Sequence, residues 1–265
     1  GDSISGEMIE ISCFGRTQQF SGVKQIIADG GSGDDTIIVE QGVLSSVDLT
    51  GGDGNDVIIH QGPGGGSGNV IRGGNGDDYI ELGEASGFSL YGGSGNDYIQ
   101  GGPLGDTIYG EDGDDKLLGG GGTDTIYGGA GSDLITGGAG ADSLYGGDGP
   151  DTFYWIKGDG QDSIIDGGAK SDRLVITAGD TAENITVSRS GNNIVVTWVG
   201  EGLALTGANL ESLSLDLADG VDNLTIEDIQ GSGISSITLD LGVTDLGTDI
   251  CADSVLIKGT SWNDS

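Results

Sequence analysis

The sequence predicts an all-β chain wound into a solenoid of short parallel strands. Three observations carry this. A nine-residue unit repeats seven times without interruption from Gly92 to Tyr154: GGSGNDYIQ, GGPLGDTIY, GEDGDDKLL, GGGGTDTIY, GGAGSDLIT, GGAGADSLY, GGDGPDTFY. Three more copies stand upstream, at Gly30–Ile38, Gly51–Ile59 and Gly73–Glu81. In all ten copies place six is Asp and place eight is Ile, Leu or Phe. A fixed short period is the mark of an architecture in which no unit buries a face alone and stacked neighbours build one core.

Each place has a physical task. Glycines at places one, two and four allow the positive φ of a sharp bend. The last three places alternate out, in and out, as a short strand does. The inward residues are Ile37, Ile58, Ile80, Ile99, Ile108, Leu117, Ile126, Ile135, Leu144 and Phe153. Two units close one coil of 18 residues, and successive coils stack about 4.8 Å apart.

The coil sorts the bends onto two edges. Edge A carries the bends that start at Gly30, Gly51, Gly73, Gly92, Gly110, Gly128 and Gly146, and a degenerate one at 167–172 (GGAKSD). Edge B carries those at Gly101, Gly119 and Gly137, and a degenerate one at 157–162 (KGDGQD). Such bends expose backbone carbonyls, and place six adds a carboxylate. Oxygen-only donors on a flexible loop suit Ca²⁺, which takes six to eight oxygens, better than Mg²⁺, which demands a rigid octahedron. Cys/His ligation is not available, with one histidine and two cysteines in the chain.

The candidate ligands are places one, three and six. On edge A they are Gly30, Ser32, Asp35, Gly51, Asp53, Asp56, Gly73, Asn75, Asp78, Gly92, Ser94, Asp97, Gly110, Asp112, Asp115, Gly128, Ala130, Asp133, Gly146, Asp148, Asp151 and the outlying Asp172. On edge B they are Gly101, Pro103, Asp106, Gly119, Gly121, Asp124, Gly137, Ala139, Asp142 and the outlying Asp162. Adjacent bends on one edge number seven on A and three on B, which sets an expectation of eight to ten ions, ten at most.

Here the chain resembles the RTX family, the haemolysin-type calcium-binding repeats with motif G-G-x-G-x-D-x-U-x. The resemblance covers Gly30 to about Val175 and departs from the motif at Glu111 (place two) and Leu104 (place four). It implies a right-handed parallel β-roll, Ca²⁺ held between turns one coil apart, and export of the parent protein by a type I secretion apparatus.

Charge fits that picture. Nine basic residues face 43 acidic ones, a net charge of −34. Stacked carboxylates one coil apart repel by roughly 3 kcal/mol per pair at an effective dielectric of 20. Without cations the repeats should therefore be expanded. The same charge argues against nucleic acid and anionic membrane as partners, and no run of about 20 apolar residues offers a membrane span.

Three segments are expected. Residues 1–29 form an N-terminal β capping coil, with strand-like runs Met8–Ser12 and Val23–Ala28 around a polar turn. Residues 30–175 form the roll. In its upstream coils the opposite turns, Gln41–Ser46, Gln61–Asn69 and Gly83–Gly87, lack the place-six Asp, so calcium is expected on one edge only. Residues 176–265 are a C-terminal β-rich segment: a hairpin from Asn184–Arg189 and Asn193–Val199, then two strand sets, Ser212–Leu217 with Ser236–Leu241 and Asp222–Ile226 with Asp253–Ile257, read as a second solenoid. Asp216 and Asp240 read as polar strand-surface residues. Gly259–Ser265 looks like a further loop cut short, so the chain reads as a piece of a larger protein. Cys13 and Cys251 flank seven coil steps, or roughly 34 Å, while a disulfide needs Cα atoms within about 7 Å; no bond is expected between them.

Tyr91, Tyr109, Tyr127 and Tyr145 recur every 18 residues on outward place nine and predict a stacked tyrosine ladder. Its expected role is to cover glycine-rich backbone, with a glycan- or protein-binding strip as the alternative. Catalysis is not expected. One histidine forbids H-E-x-x-H, and there is no G-x-S-x-G elbow. His60 reads as a surface residue at a strand end. The leading expectation is an extracellular, calcium-triggered folding module of an adhesin, S-layer-like protein or exoprotein. The alternatives are a glycan- or ice-binding module and a passive spacer in a fibre; the loops lack the regular Thr row that would favour ice.

Overall fold

A computed structural model describes residues 8–13, 16–21, 23–63, 67–84, 87–162, 164–179, 181–218, 222–240 and 254–258, and these residues form no helix. They form 25 strands, numbered in chain order. Two large sheets face each other. One has ten strands, from β4 (Thr36–Val39) to β24 (Ser236–Asp240), and the other thirteen, from β3 (Gln25–Ser32) to β25 (Ser254–Ile257).

Through the repeats the chain crosses between the sheets at every bend, so hydrogen-bonded neighbours lie a full coil apart in sequence. Ile108 stands beside Leu90 on one side and Ile126 on the other. Ile99 stands between Ile80 and Leu117 in the opposite sheet. Every pairing through the repeats is parallel and sets like place against like place. The alternation of each strand then turns its apolar set inward. Place eight is buried from Ile58 to Phe153. Ile37, at the first coil, is only half-buried because little covers it from upstream. The architecture is a parallel β-roll of about ten turns.

At the N-terminal end the structure differs from the sequence reading. The expected polar turn contains a strand: β1 (Met8–Cys13) and β2 (Arg16–Ser21) form an antiparallel pair. The second expected run belongs to β3, which pairs in parallel with β5 (Ser46–Asp53) and is therefore the first rung of the roll. The runs Thr36–Glu40 and Val47–Thr50 face each other as two strands of one coil, in opposite sheets.

The C-terminal segment brings a larger correction. The hairpin forms as β19 (Asn184–Ser190) and β20 (Asn193–Trp198). The following strands are not a second solenoid, because both sheets of the roll run on through them. In one sheet β18 (Arg173–Thr177) pairs in parallel with β22 (Ser212–Asp216), and β22 with β24. In the other, β17 (Ile164–Gly168) pairs with β21 (Leu203–Ala208), the hairpin is spliced in next to it, and β23 (Asn223–Ile226) resumes parallel pairing with β19 and β25. Trp155 and Trp198, both buried, meet in the core at 4.6 Å between ring centroids. Asp216 lies half-buried and Asp240 exposed at outward strand places. Cys251, Leu241, Asp253 and Gly259–Ser265 lie outside the described residues.

Candidate metal centre

The bends use their glycines in two different ways. Places two and four take positive φ along edge A, as at Gly52 (122°), Gly54 (133°), Gly93 (122°) and Gly95 (124°). Glu111 holds the same left-handed conformation without being glycine, at φ 78°. Place one does not, against the sequence expectation. Its glycine is required by crowding: a Cβ on Gly73 would strike the carboxylate of Asp78 and lie 2.7 Å from the carbonyl oxygen of Gly92, one coil on. The same clash recurs at Gly51, Gly92, Gly110, Gly128 and Gly146. Place one is thus where the carboxylate of one bend and the carbonyl of the next converge.

The place-six carboxylates form two continuous rows. On edge A the amide of Asp35 donates to Asp56 Oδ1, Asp56 to Asp78, Asp78 to Asp97, Asp97 to Asp115, Asp115 to Asp133, Asp133 to Asp151 and Asp151 to Asp172, at 2.7–2.9 Å. On edge B, Asp106 donates to Asp124, Asp124 to Asp142 and Asp142 to Asp162, at 2.6–3.0 Å. These are the seven and three steps read from the spacing.

From Asp56 onward one oxygen of each carboxylate therefore accepts an amide, and in most of these acids the other has no partner. Oδ2 is buried with no hydrogen-bond partner in Asp35, Asp56, Asp78, Asp97, Asp115, Asp133, Asp151 and Asp172 on edge A, and in Asp124 and Asp142 on edge B. Leaving a buried charged oxygen without a partner is costly. Burial first, and then repulsion from neighbouring carboxylates, pushes Asp97, Asp124 and Asp133 up to about 7. Burial likewise lifts Asp78 and Asp115 to about 6. A cation beside these oxygens removes both penalties.

The place-three carbonyls also reach a neighbouring rung. Those of Asp53, Asn75, Ser94, Asp112, Ala130 and Asp148 each accept the place-four N–H of the preceding rung, which leaves each a second lone pair. Among the described residues no group of three or more His, Cys, Asp or Glu side chains could hold a metal. Any ion here must take most of its ligands from backbone carbonyls, as a hard cation can.

Asp106 differs from the other acids. Its Oδ2 accepts the amide of Gly102 in its own loop at 3.0 Å, and its Oδ1 accepts that of Phe88. Pro103 and Leu104 stand in this loop where other bends are glycine-rich, and Gly102 does not take positive φ.

Several contributors escaped the sequence reading. A second ladder runs outside the first at place five: Asn55, Asp77, Asn96, Asp114 and Ser132 donate their amides to the side chains of Asp34, Asn55, Asp77, Asn96 and Asp114. The recurrence of Asp or Asn before the place-six Asp was the available signal. In the upstream coils the edge-B row is Val47, Asn69 and Phe88, all buried, so a core plug takes the place of the acids. His60 belongs to this plug and is not a surface residue. It is fully buried, packs on Phe88 at 5.1 Å, and burial lowers its pKa. Downstream on edge B, Glu183 accepts Lys157 Nζ at 2.6 Å, Trp198 Nε1 at 2.9 Å and Gly179 N at 3.1 Å. There a lysine supplies the positive charge.

The tyrosine ladder is present, with centroids 4.8–5.0 Å apart from Tyr91 to Tyr145 and Arg72 over its first ring. A second stack, Tyr79 on Tyr98, lies in the other sheet with Lys116 over Tyr98.

Parallel rungs joined by oxygen-lined bends, each with a buried acid, define the class of repeat β-rolls that hold hard cations. A family model described as RTX calcium-binding nonapeptide repeat (4 copies) matches residues 27–42, 48–60, 63–86, 91–126 and 118–153. Residues 27–153 thus carry RTX calcium-binding repeats, and this block binds calcium. A search of curated proteins found no match.

Proposed function

We propose that the chain is a calcium-triggered folding module of a larger extracellular protein exported by a type I secretion apparatus. The observation that carries this is the row of buried place-six carboxylate oxygens with no partner. Each ion is held by the place-six carboxylate of one bend and by carbonyls of that bend and the next rung. This gives seven ions on edge A and two on edge B, at Asp124 and Asp142. Without calcium, carboxylate repulsion opposes stacking and the chain stays extended enough to be threaded. Outside the cell, calcium at about millimolar concentration fills weak sites and folds the roll by mass action.

Far-UV circular dichroism in calcium and in EGTA tests this. The β spectrum should collapse on chelation and return when calcium is restored; a spectrum indifferent to EGTA overturns the reading. A second reading, in which the ladder also stacks on glycan rings, is favoured by the exposure of Tyr127. A glycan array that shows binding lost on Tyr109→Ala and Tyr127→Ala would support it.

A further inference from the structure

Edge A has eight partnerless carboxylate oxygens but only seven steps between bends. The extra one belongs to Asp172, which is fully buried at the last bend. No repeat follows it. Instead the segment that links β21 to β22 crosses the place where the next bend would stand.

That crossing reproduces the repeat geometry with different residues. A Cβ on Gly167 would strike the carbonyl oxygen of Asn209 and lie 2.7 Å from Asp172 Oδ2, the clash seen at place one of every earlier edge-A bend. Asn209 takes φ +49°. Its side chain donates to Asp166 Oδ1 at 2.8 Å, which fixes the carbonyl. The amide of Asp172 donates to Glu211 Oε2 at 2.8 Å, so Glu211 continues the acid row one rung further. No ion pair among the described residues involves Asp172 or Glu211. On edge B, by contrast, the buried acid beyond the repeats, Glu183, is met by Lys157.

We infer that Asp172, the carbonyl of Asn209 and Glu211 form a further cation site, an eighth on edge A, which takes Ca²⁺ and locks the C-terminal strands onto the roll. This rests on the calcium reading of the repeats but uses residues outside the nonapeptide units. Its consequence is that β21 and β22 dock in a calcium-dependent way although they carry no calcium motif.

The test is the variant Glu211→Gln in the full chain, which keeps an acceptor for the Asp172 amide, with Glu227→Gln as a control. Calcium bound at saturation is counted by equilibrium dialysis with elemental analysis, and hydrogen exchange is followed by segment. Glu211→Gln should lose one ion, and segment 203–216 should lose its calcium-dependent protection while 92–154 keeps it. The control should match the unaltered chain. A Glu211→Gln protein with the full ion count and full protection of 203–216 overturns the inference and leaves the repeat sites standing. An unaltered chain that binds no calcium overturns both.

Discussion

Edge A and edge B are built from the same nine-residue unit, yet they solve the problem of stacked acids differently. Along edge A the bends repeat nearly unchanged, and each acid keeps one buried oxygen open. Among the nonapeptide bends of edge B only Asp124 and Asp142 do so. Upstream the edge is plugged by Val47, Asn69 and Phe88; at Asp106 the loop closes on its own carboxylate; downstream Lys157 meets Glu183. The motif therefore does not by itself fix the demand for a cation. On the proposed reading, what fixes it is whether protein donors reach the second carboxylate oxygen.

The largest effect expected from this comparison is at place one. Gly92→Val puts a side chain where Asp97 Oδ2 and the Gly110 carbonyl converge, so it should prevent calcium-induced folding, read as no β signal at saturating calcium. Gly87→Val, where a side chain would meet nothing within 4 Å, sits at a left-handed φ of 68°. It should cost only about 1–2 kcal/mol and still fold.

Next comes the contrast between acids. Asp115→Asn should remove at least one ion and raise the calcium midpoint several-fold. Asp106→Asn should keep the ion count and lose about 1 kcal/mol with one hydrogen bond. Equal ion loss in the two variants would erase the proposed difference between the edges.

A pH effect follows from the buried acids. Their folded-state values lie above the ordinary 3.8, at about 6 to 7. In calcium-free buffer this contribution favours the fold at low pH and is lost as pH rises through about 6 to 7. Part of the β signal missing in EGTA at pH 7.5 should therefore return near pH 5. With calcium present the slope should reverse, because ions need the deprotonated form.

The smallest effect is expected at the ladder. Tyr109→Ala removes two ring stacks, each worth about 0.5–1.5 kcal/mol beyond area, and should lower the melting temperature without changing the ion count.

The period made much of this legible. Places six and eight have one task each in every coil, so the acid rows, the core and the parallel pairing could be read directly, as could the tyrosine ladder at its 18-residue spacing. What depended on partners from irregular coils could not. His60 is buried because Phe88 comes to lie beside it. Glu183 meets Lys157 26 residues back and Trp198 15 residues on. The sheets continue past Val175, but the inserted hairpin stretches that coil so far that Asp172 and Glu211, neighbours in the acid row, are 39 residues apart. No sequence period survives a step of that length.

Anomalous scattering from a crystal grown in calcium tests the central claim most directly. The expected map shows a row of peaks along edge A, one per rung and about 4.8 Å apart, each beside a place-six carboxylate and a carbonyl of the next rung, with a shorter row at Asp124 and Asp142 and none at Asp106. A folded roll with no peaks along edge A would contradict the account.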